Sequence, residues 1–453
     1  DREGEAIAWH ICKLFDLPVA STPRILFNEI TKPAIQSALK NPTTINMNLV
    51  HAQQARQVLD IIVGFRLSPI LWKHISRNSK TGLSAGRCQT PALRIIYDNQ
   101  KEIEANPGKQ VYNTTGYFTK LNLPFNLNHH FILSASAEEL LENSVDFDHT
   151  FSCTKPRKTT KNPPKPFSTS SIQQAANNEL RCSPKVTMKE LQTLYEKGLI
   201  TYMRTDAKTY SSVFIDTMKE FIPKKWGDEY VNEDVDSLAD RSKKKKGEKD
   251  KKTQEAHEAI RPTKIITIDV SEGYDLSPKA IKLYNLIWRN TCESCMSPAI
   301  CSGITAKLSA PSDWMSDSEV LFYKYCCEMI TFPGWKIVRG YDKDAKDYHF
   351  LLKLKQESVI TYNKIESKVS IRDQKLHYTE AKLVQMLEEK GIGRPSTFSS
   401  LIEKIQDRKY VKKDNIQGKT LTCNNYELVG EELSCIEEDK TFGNEKNKLV
   451  VQP

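Results

Sequence analysis

The tyrosine at position 202 stands in Gly198-Leu199-Ile200-Thr201-Tyr202-Met203-Arg204-Thr205-Asp206, directly after a segment whose Leu191, Leu194 and Tyr195 keep helical spacing. A phenol is a weak nucleophile at neutral pH. Attack on a phosphodiester therefore needs cations that stabilise the phenolate and the charged transition state, and Arg204 lies two residues on. The same spacing fits a half-buried strand tyrosine beside a surface pair of Arg204 and Asp206, and spacing alone leaves both readings open.

Four other constellations carry possible chemistry. In Asp1-Arg2-Glu3-Gly4-Glu5 the carboxylates lie two apart; on an extended turn they point the same way and can jointly hold a hard cation such as Mg²⁺. Glu255-Ala256-His257-Glu258-Ala259-Ile260-Arg261-Pro262 sets imidazole and guanidinium side by side, suited to phosphate contacts or proton transfer, although a capped helix start with a satisfied histidine reads equally well. Leu83-Ser84-Ala85-Gly86-Arg87-Cys88-Gln89-Thr90 and Lys390-Gly391-Ile392-Gly393-Arg394-Pro395-Ser396-Thr397 both put small residues and an arginine at predicted helix starts. Backbone amides there favour phosphate, and glycine lets a sugar-phosphate chain approach. Either is also compatible with an ordinary turn and cap.

The elements that must hold these groups follow from periodicity. Ile7, Ile11, Leu14 and Phe15 mark one helical face ended by Pro18, so the acidic turn sits at a helix N-terminus. Residues from Asn48 to Gln100 read as helical, broken at Ser68-Pro69 and at the turn Thr81 to Gly86. Stretches near 110–160 and 300–365 are β-rich, while Ser170 to Lys197 and Ala280 to Thr291 are helical, which predicts a helical domain inserted into a β domain. Arg241 to Lys252, RSKKKKGEKDKK, has no apolar residue and predicts a solvated, mobile loop, serving solubility or phosphate contact.

A length of 453 residues suggests about three domains. The hydrophobic fraction of 39% includes no run long enough to span a bilayer, and the net charge of +9 favours a polyanionic partner. Eleven cysteines, scattered except for Cys292-x-x-Cys295 and Cys326-Cys327, are neither a disulfide framework nor paired zinc half-sites, and they fit a reducing compartment. The start at Asp1, without initiator methionine or leader pattern, predicts that the natural N-terminus lies upstream.

The five motifs combine with RILFNEIT at 24–31, PFSTSSIQQAA at 166–176 and YTEAKLVQMLEEKGIGRPST at 378–397. Together they resemble the signature series of type IA DNA topoisomerases over nearly the whole chain. AHEAIRP and TYMRTD look like the bacterial topoisomerase I branch; the topoisomerase III branch typically has proline in place of Met203. No G-x-x-x-x-G-K-[ST] pattern occurs, so neither a reverse-gyrase helicase module nor ATP is expected.

The resemblance implies a multidomain α+β toroid with a Toprim remnant, helical catabolite-activator-like domains and a β-rich arch. The expected division is 1–40 for the Toprim part and connector, 41–105 and 369–453 for a helical DNA-groove domain, 106–162 and 300–368 for the arch, and 163–299 for the helical domain bearing the tyrosine. It further implies that Tyr202 attacks one DNA strand to leave a 5′-phosphotyrosine, that another strand passes, and that the break is resealed, relaxing negative supercoils without ATP. Arg204, His257 and Arg394 would support the site, and Asp1 and Glu3 would bind Mg²⁺. Arg56, Asp60, Phe65, Trp72, Ser84, Ala85, Gly86, Arg87, Cys88, Gln89, Thr397 and Arg408 would line a groove for single-stranded DNA. The partner expected is single-stranded or underwound DNA, and the protein is expected to be a monomer, cytoplasmic or nucleoid-associated, with organellar or viral origin also compatible.

Three departures accompany the resemblance. Gln57 stands where the bacterial branch often has a second arginine, which bears on sequence preference upstream of the cleavage point. No four-cysteine zinc ribbon follows at the C-terminal end. The first acid of the Toprim triad and an earlier glutamate and lysine would fall before residue 1, so cleavage by the chain as given is expected to be impaired. The rival readings are a single-stranded-DNA-binding fragment or inactive paralogue, and a tyrosine recombinase, whose Arg-His-Arg-Tyr ordering is not found and which would link to a 3′ phosphate.

Overall fold

The structure is a computed structural model that describes residues 2–27, 29–75, 82–239, 258–313 and 320–452. Asp1, His257 and the whole of the lysine-rich run 241–252 lie outside these described residues.

The chain opens with three helices, α1 (Arg2–Leu14), α2 (Lys32–Lys40) and α3 (Met47–His74), followed by α4 (Gln89–Ala105). α1 already includes the acidic motif, with Glu3 and Glu5 in its first turn, where carboxylates suit the helix dipole. The extended turn expected there is absent, and residues two apart on a helix diverge rather than align. α3 starts at Asn46, whose side chain accepts from the amides of Asn48 and Leu49. It runs unbroken through Ser68-Pro69, correcting the expected break: one missing N–H does not end a 28-residue helix, and buried Ser68 instead accepts the Ala85 amide on its hydroxyl at 3.3 Å.

The middle of the chain goes out along a sheet, makes a helical excursion and returns. β1 (Lys109–Tyr117), β2 (Pro124–Phe131), α5 (Ser134–Glu142), β3 (Phe151–Cys153) and β4 (Arg157–Lys161) lead to α6 (Thr169–Leu180), α7 (Pro184–Glu196), α8 (Ser212–Trp226) and α9 (Pro278–Cys295). The return comprises β5 (Ala299–Ser309), β6 (Phe322–Phe332), α10 (Lys346–Lys353) and β7 (Lys364–Arg372). The last stretch holds α11 (Glu380–Glu389), α12 (Phe398–Asp407), β8 (Val411–Ile416), β9 (Lys419–Val429), β10 (Glu432–Phe442) and β11 (Glu445–Val451).

Among the described residues, nine antiparallel strands form one sheet in the order β10-β9-β7-β1-β2-β6-β5-β3, with β4 also paired to β5. Outgoing and returning strands therefore alternate within one structure, because β1 sits between β2 and β7. One face of the sheet buries Tyr112, Phe125, Phe131, Leu308, Tyr323 and Ile365 against Leu140 and Leu141 of α5. The opposite face carries Lys109, Asn113, Thr115, Asn126, Lys307, Lys324, Glu366 and Arg372, with the apolar Val111 and Phe322 among them. The stretch after residue 369, expected to be helical, also carries four strands, two of which extend the main sheet. Alternating Leu421, Cys423, Tyr426 and Leu428, with Gly430 at φ +59° closing the hairpin, explain this.

The helices α6 to α9 enclose a separate core that includes Leu191, Leu194, Met218, Ile222, Tyr284 and Ile287. Cys292 and Cys295 belong to it; burial pushes the Cys295 thiol up to about 12 and Cys292 well above its ordinary value, so this CxxC packs as small apolar residues. A third core joins Ile95 and Ile96 of α4 to Leu383 and Leu387 of α11, Ile402 and Ile405 of α12, Val411 and Leu449.

Candidate active site and nucleic-acid groove

α7 ends at Lys197, and Gly198 at φ +69° turns the chain into an extended segment. From there burial alternates: Thr201, Met203, Thr205 and Ala207 are buried, while Tyr202 and Asp206 are partly exposed and Arg204 exposed. Period two thus sends Tyr202, Arg204 and Asp206 to one side. The segment belongs to no sheet, so its backbone groups are met by side chains and loops. Thr169, at the start of α6, lies 2.6 Å from the Met203 carbonyl through its hydroxyl, accepts the Thr205 amide at 2.8 Å, and donates its own amide to the Thr205 carbonyl at 2.9 Å. Thr201 donates its amide to the Arg261 carbonyl at 2.9 Å and its hydroxyl to the Ala259 carbonyl at 2.9 Å. The tyrosine ring stacks edge-on against Tyr195, with centroids 5.3 Å apart.

Arg261, which sequence reasoning set beside His257 for phosphate chemistry, is buried. It donates to Glu258 at 2.8 Å, lies 3.3 Å from Glu29, and stacks over Phe214 at 4.2 Å. Its charge is therefore spent on holding the 258–262 segment to Glu29. The same two regions meet at Gly198, where a Cβ would come within 2.7 Å of the Ile30 carbonyl.

Tyr202 opens into a cleft lined also by Arg2, Glu3, Arg56, Arg204, Asp206, Arg394, Pro395 and Ser396. Four guanidinium groups from four distant parts of the chain converge on the phenol against two carboxylates. Arg394 is set by the Gly391-Ile392-Gly393 turn: Gly393 has φ +78°, the Arg394 amide donates to the Thr397 hydroxyl at 2.9 Å, and its guanidinium donates to the Gly393 carbonyl at 2.7 Å. Arg2 and Thr169 were missed by sequence reasoning. Arg2 was overlooked between two acids, and a buried threonine at a helix start has no sequence signal beyond its cap.

The cleft continues into a second one lined by Glu3, Gln53, Arg56, Gln57, Asp60, Ile61, Ser396 and Thr397, which runs along α3. Further along, Arg87 donates to Asp60 at 2.9 Å, an interaction that raises the arginine's pKa. The 82–86 loop is fixed from both sides. Trp72 donates its indole N–H to the Leu83 carbonyl at 2.6 Å, Tyr410 accepts the Ser84 amide at 2.7 Å, and Arg408 donates to the Gly82 carbonyl at 2.5 Å. Gln89, buried, donates to the Ser84 carbonyl at 3.3 Å, and Gly86 donates its amide to Thr90 at 3.2 Å. Cys88 packs against the third core, and Phe65 projects from α3 with 79% of its surface exposed. Ala85 sits in the same loop. An exposed aromatic beside arginines and loop amides is the combination that stacks bases and holds phosphates.

The carboxylates of the acidic motif separate. Glu3 faces the cleft and lies 3.0 Å from Arg56, whereas Glu5 is buried, accepts the Asn46 amide at 3.1 Å and pairs with Arg24. Glu5 therefore anchors α3 rather than a cation. Among the described residues no group of three or more potential ligands forms a metal cluster; of the expected acids Asp1 and Glu3, Asp1 lies outside the described residues. No helix among the described residues is long and apolar enough to cross a membrane.

Residues 44–434 match the family described as DNA topoisomerase. DNA topoisomerase 1 of Buchnera aphidicola subsp. Acyrthosiphon pisum (strain APS) is 36% identical over 431 residues, which is 91% of this chain and 46% of that protein. The chain thus spans about half the length of this curated relative. The solved structure of full-length topoisomerase I from Thermotoga maritima aligns with a TM-score of 0.74 and 32% identity, over 91% of this chain and 66% of that one. The match shows that the helices and antiparallel sheet described above form a multidomain α+β fold of the topoisomerase I type. With a phenol among arginines at the mouth of a groove and a family match across most of its length, the chain belongs to the type IA DNA topoisomerases, in the bacterial topoisomerase I branch.

Proposed function

We propose that this chain is the DNA-gripping part of an ATP-independent enzyme that relaxes negatively supercoiled DNA by cutting and resealing one strand at Tyr202. The Tyr202 oxygen attacks the phosphorus of a single-strand phosphodiester, forming the phosphotyrosyl bond as the bond to the 3′ oxygen breaks. The phenolic proton is lost and the leaving 3′ oxygen gains one, so a 5′-phosphotyrosine and a free 3′-hydroxyl result, and the reverse step reseals. Bond energy is conserved, which is why no nucleotide is consumed. Arg204 and Arg394 neutralise the phosphate in the transition state, and His257 assists.

The reading rests on one observation above all: Tyr202 shares its cleft with Arg2, Arg56, Arg204 and Arg394, and that cleft runs into the groove along α3. Arg56, Asp60, Phe65, Trp72, the Ser84 to Gln89 loop, Thr397 and Arg408 hold single-stranded DNA there. Asp1 and Glu3 would contribute carboxylates to Mg²⁺, which would supply positive charge for resealing. The protein acts as a monomer on underwound DNA in the cytoplasm or nucleoid, with its domains divided as the sequence suggests except where β9 and β10 join the sheet.

The test is relaxation of negatively supercoiled plasmid by the full-length protein with Mg²⁺. Tyr202→Phe is expected to abolish it, and denaturant is expected to trap protein on DNA 5′ ends. Relaxation persisting in that variant would refute the nucleophile. A 3′ linkage would indicate a recombinase, and binding without adduct a DNA-binding paralogue.

A further inference from the structure

The polar face of the nine-stranded sheet carries an arrangement that strand pairing alone does not favour. Lys307 of β5 lies directly opposite Lys324 of β6, and Lys109 of β1 directly opposite Arg372 of β7. Leu308 and Tyr323, next in sequence to Lys307 and Lys324, face the apolar core, as do Tyr112 and Ile365, which lie an odd number of residues from Lys109 and Arg372, so both like-charged pairs project from the other side. Like charges directly opposite one another destabilise a sheet. Elsewhere on this face the repulsion is relieved, since Lys364 and Lys368 both reach Glu366. Among the described residues no carboxylate pairs with any of the four cations, and Lys307 rests instead over the Phe322 ring at 4.2 Å.

Between the two pairs lie Asn113, Thr115, Asn126 and His130 on the same face. The His130 imidazole is pushed below its ordinary value by burial first, then by Arg372, His129 and Lys324, so one cation of each pair lies within electrostatic reach of it. Six residues along β1 and two strand spacings separate the pairs, about 20 Å in all. A free phosphate cannot bridge that distance; a polynucleotide backbone can.

We infer that this sheet face is a second DNA-binding surface, which takes duplex DNA by its phosphates. The inference rests on the reading of the chain as part of a DNA topoisomerase but not on the role of Tyr202. Cations without a free aromatic platform contact the backbone independently of sequence, in contrast to the groove with its exposed Phe65. Duplex and single strand would then occupy different parts of the molecule.

The probe is a 30-base-pair mixed-sequence duplex, with affinity followed by fluorescence anisotropy as salt is raised. Neutralising two phosphate contacts in Lys307→Gln/Lys324→Gln is expected to reduce the slope of log K against log salt by about 1.8. Lys324→Glu is expected to raise Tm, because it pairs with Lys307, while duplex affinity falls several-fold. A stabilised protein that binds DNA less well is not the outcome of a structural defect. Unchanged slope and affinity in both variants, or a lowered Tm in Lys324→Glu, would overturn the proposal. Covalent capture of a single-stranded oligonucleotide by the full-length protein is read in parallel. Capture with an unchanged slope removes the sheet face and leaves Tyr202 standing, and a lost slope without capture does the reverse.

Discussion

The hydroxyl of Thr169 lies 2.6 Å from the carbonyl oxygen of Met203, the residue between Tyr202 and Arg204. With the Thr205 amide held by the same hydroxyl, one buried side chain sets the pleat that aims the phenol and guanidinium the same way. Thr169→Val keeps the shape but leaves both backbone groups unmet, at a cost of about 1–3 kcal/mol. Covalent adduct formation is expected to fall far more than DNA affinity, and Thr169→Ser to restore it. Equal loss of both, or no rescue by serine, would argue for a general folding role.

Gly198 sits under a similar constraint from the opposite side. Its φ of +69° and the approach of the Ile30 carbonyl leave no place for a Cβ. Gly198→Ala is expected to destabilise the protein by about 1–3 kcal/mol in denaturant melts. It should also loosen the 24–31 segment, measurable as faster amide exchange at Ile30 and Thr31.

The Asp60 and Arg87 side chains are both well exposed, so their pairing contributes little to stability. In the groove it matters more, because the carboxylate competes with phosphate for the guanidinium. Asp60→Asn is expected to tighten binding of a single-stranded oligonucleotide and to steepen its salt dependence by about 0.7. Weaker binding with an unchanged slope would mean that the acid positions the arginine instead.

His149 makes stability depend on pH. It is buried among Phe118, Phe147 and Tyr323, its Nδ1 lies 2.8 Å from the Ser309 carbonyl, and burial drives its pKa below the ordinary 6.5. The unfolded chain therefore binds a proton that the folded chain refuses. The contribution is complete above pH 6.5 and is lost as pH falls through the folded value. His149→Gln is expected to flatten the fall in Tm between pH 7 and 5; an unchanged fall would assign it to other groups.

The out-and-back path of the sheet and the helical excursion were readable from alternation and helical spacing, because those patterns record which face of each element is buried. The partial exposure of Tyr202 follows the same rule: its odd-numbered neighbours are the apolar or small polar residues that fill the core, while its role was legible only through the motif's resemblance to a family. The partners were not readable. Nothing in the motif around Arg261 reveals Glu29, which lies far away in sequence, and the guanidinium was therefore given to phosphate. Glu3 and Glu5 look alike in sequence and diverge only because a helix, not an extended turn, carries them. Pro69 does not end α3, because a single missing N–H leaves the rest of the helix intact and Ser68 beside it instead accepts the Ala85 amide, a partner that the sequence does not reveal.

The third core has a consequence for how the molecule is made. Ile96 packs with Leu387 and Leu449, residues about 290 and 350 positions later. Closing a loop of that length costs about 5 kcal/mol in chain entropy before any contact is gained. During synthesis α4 therefore emerges long before its packing partners in α11, α12, β8 and β11 exist, and Tyr410, which holds the Ser84 amide and carbonyl, comes equally late. The loop between α3 and α4 is therefore held from both sides only once Tyr410, 326 positions after Ser84, has been made.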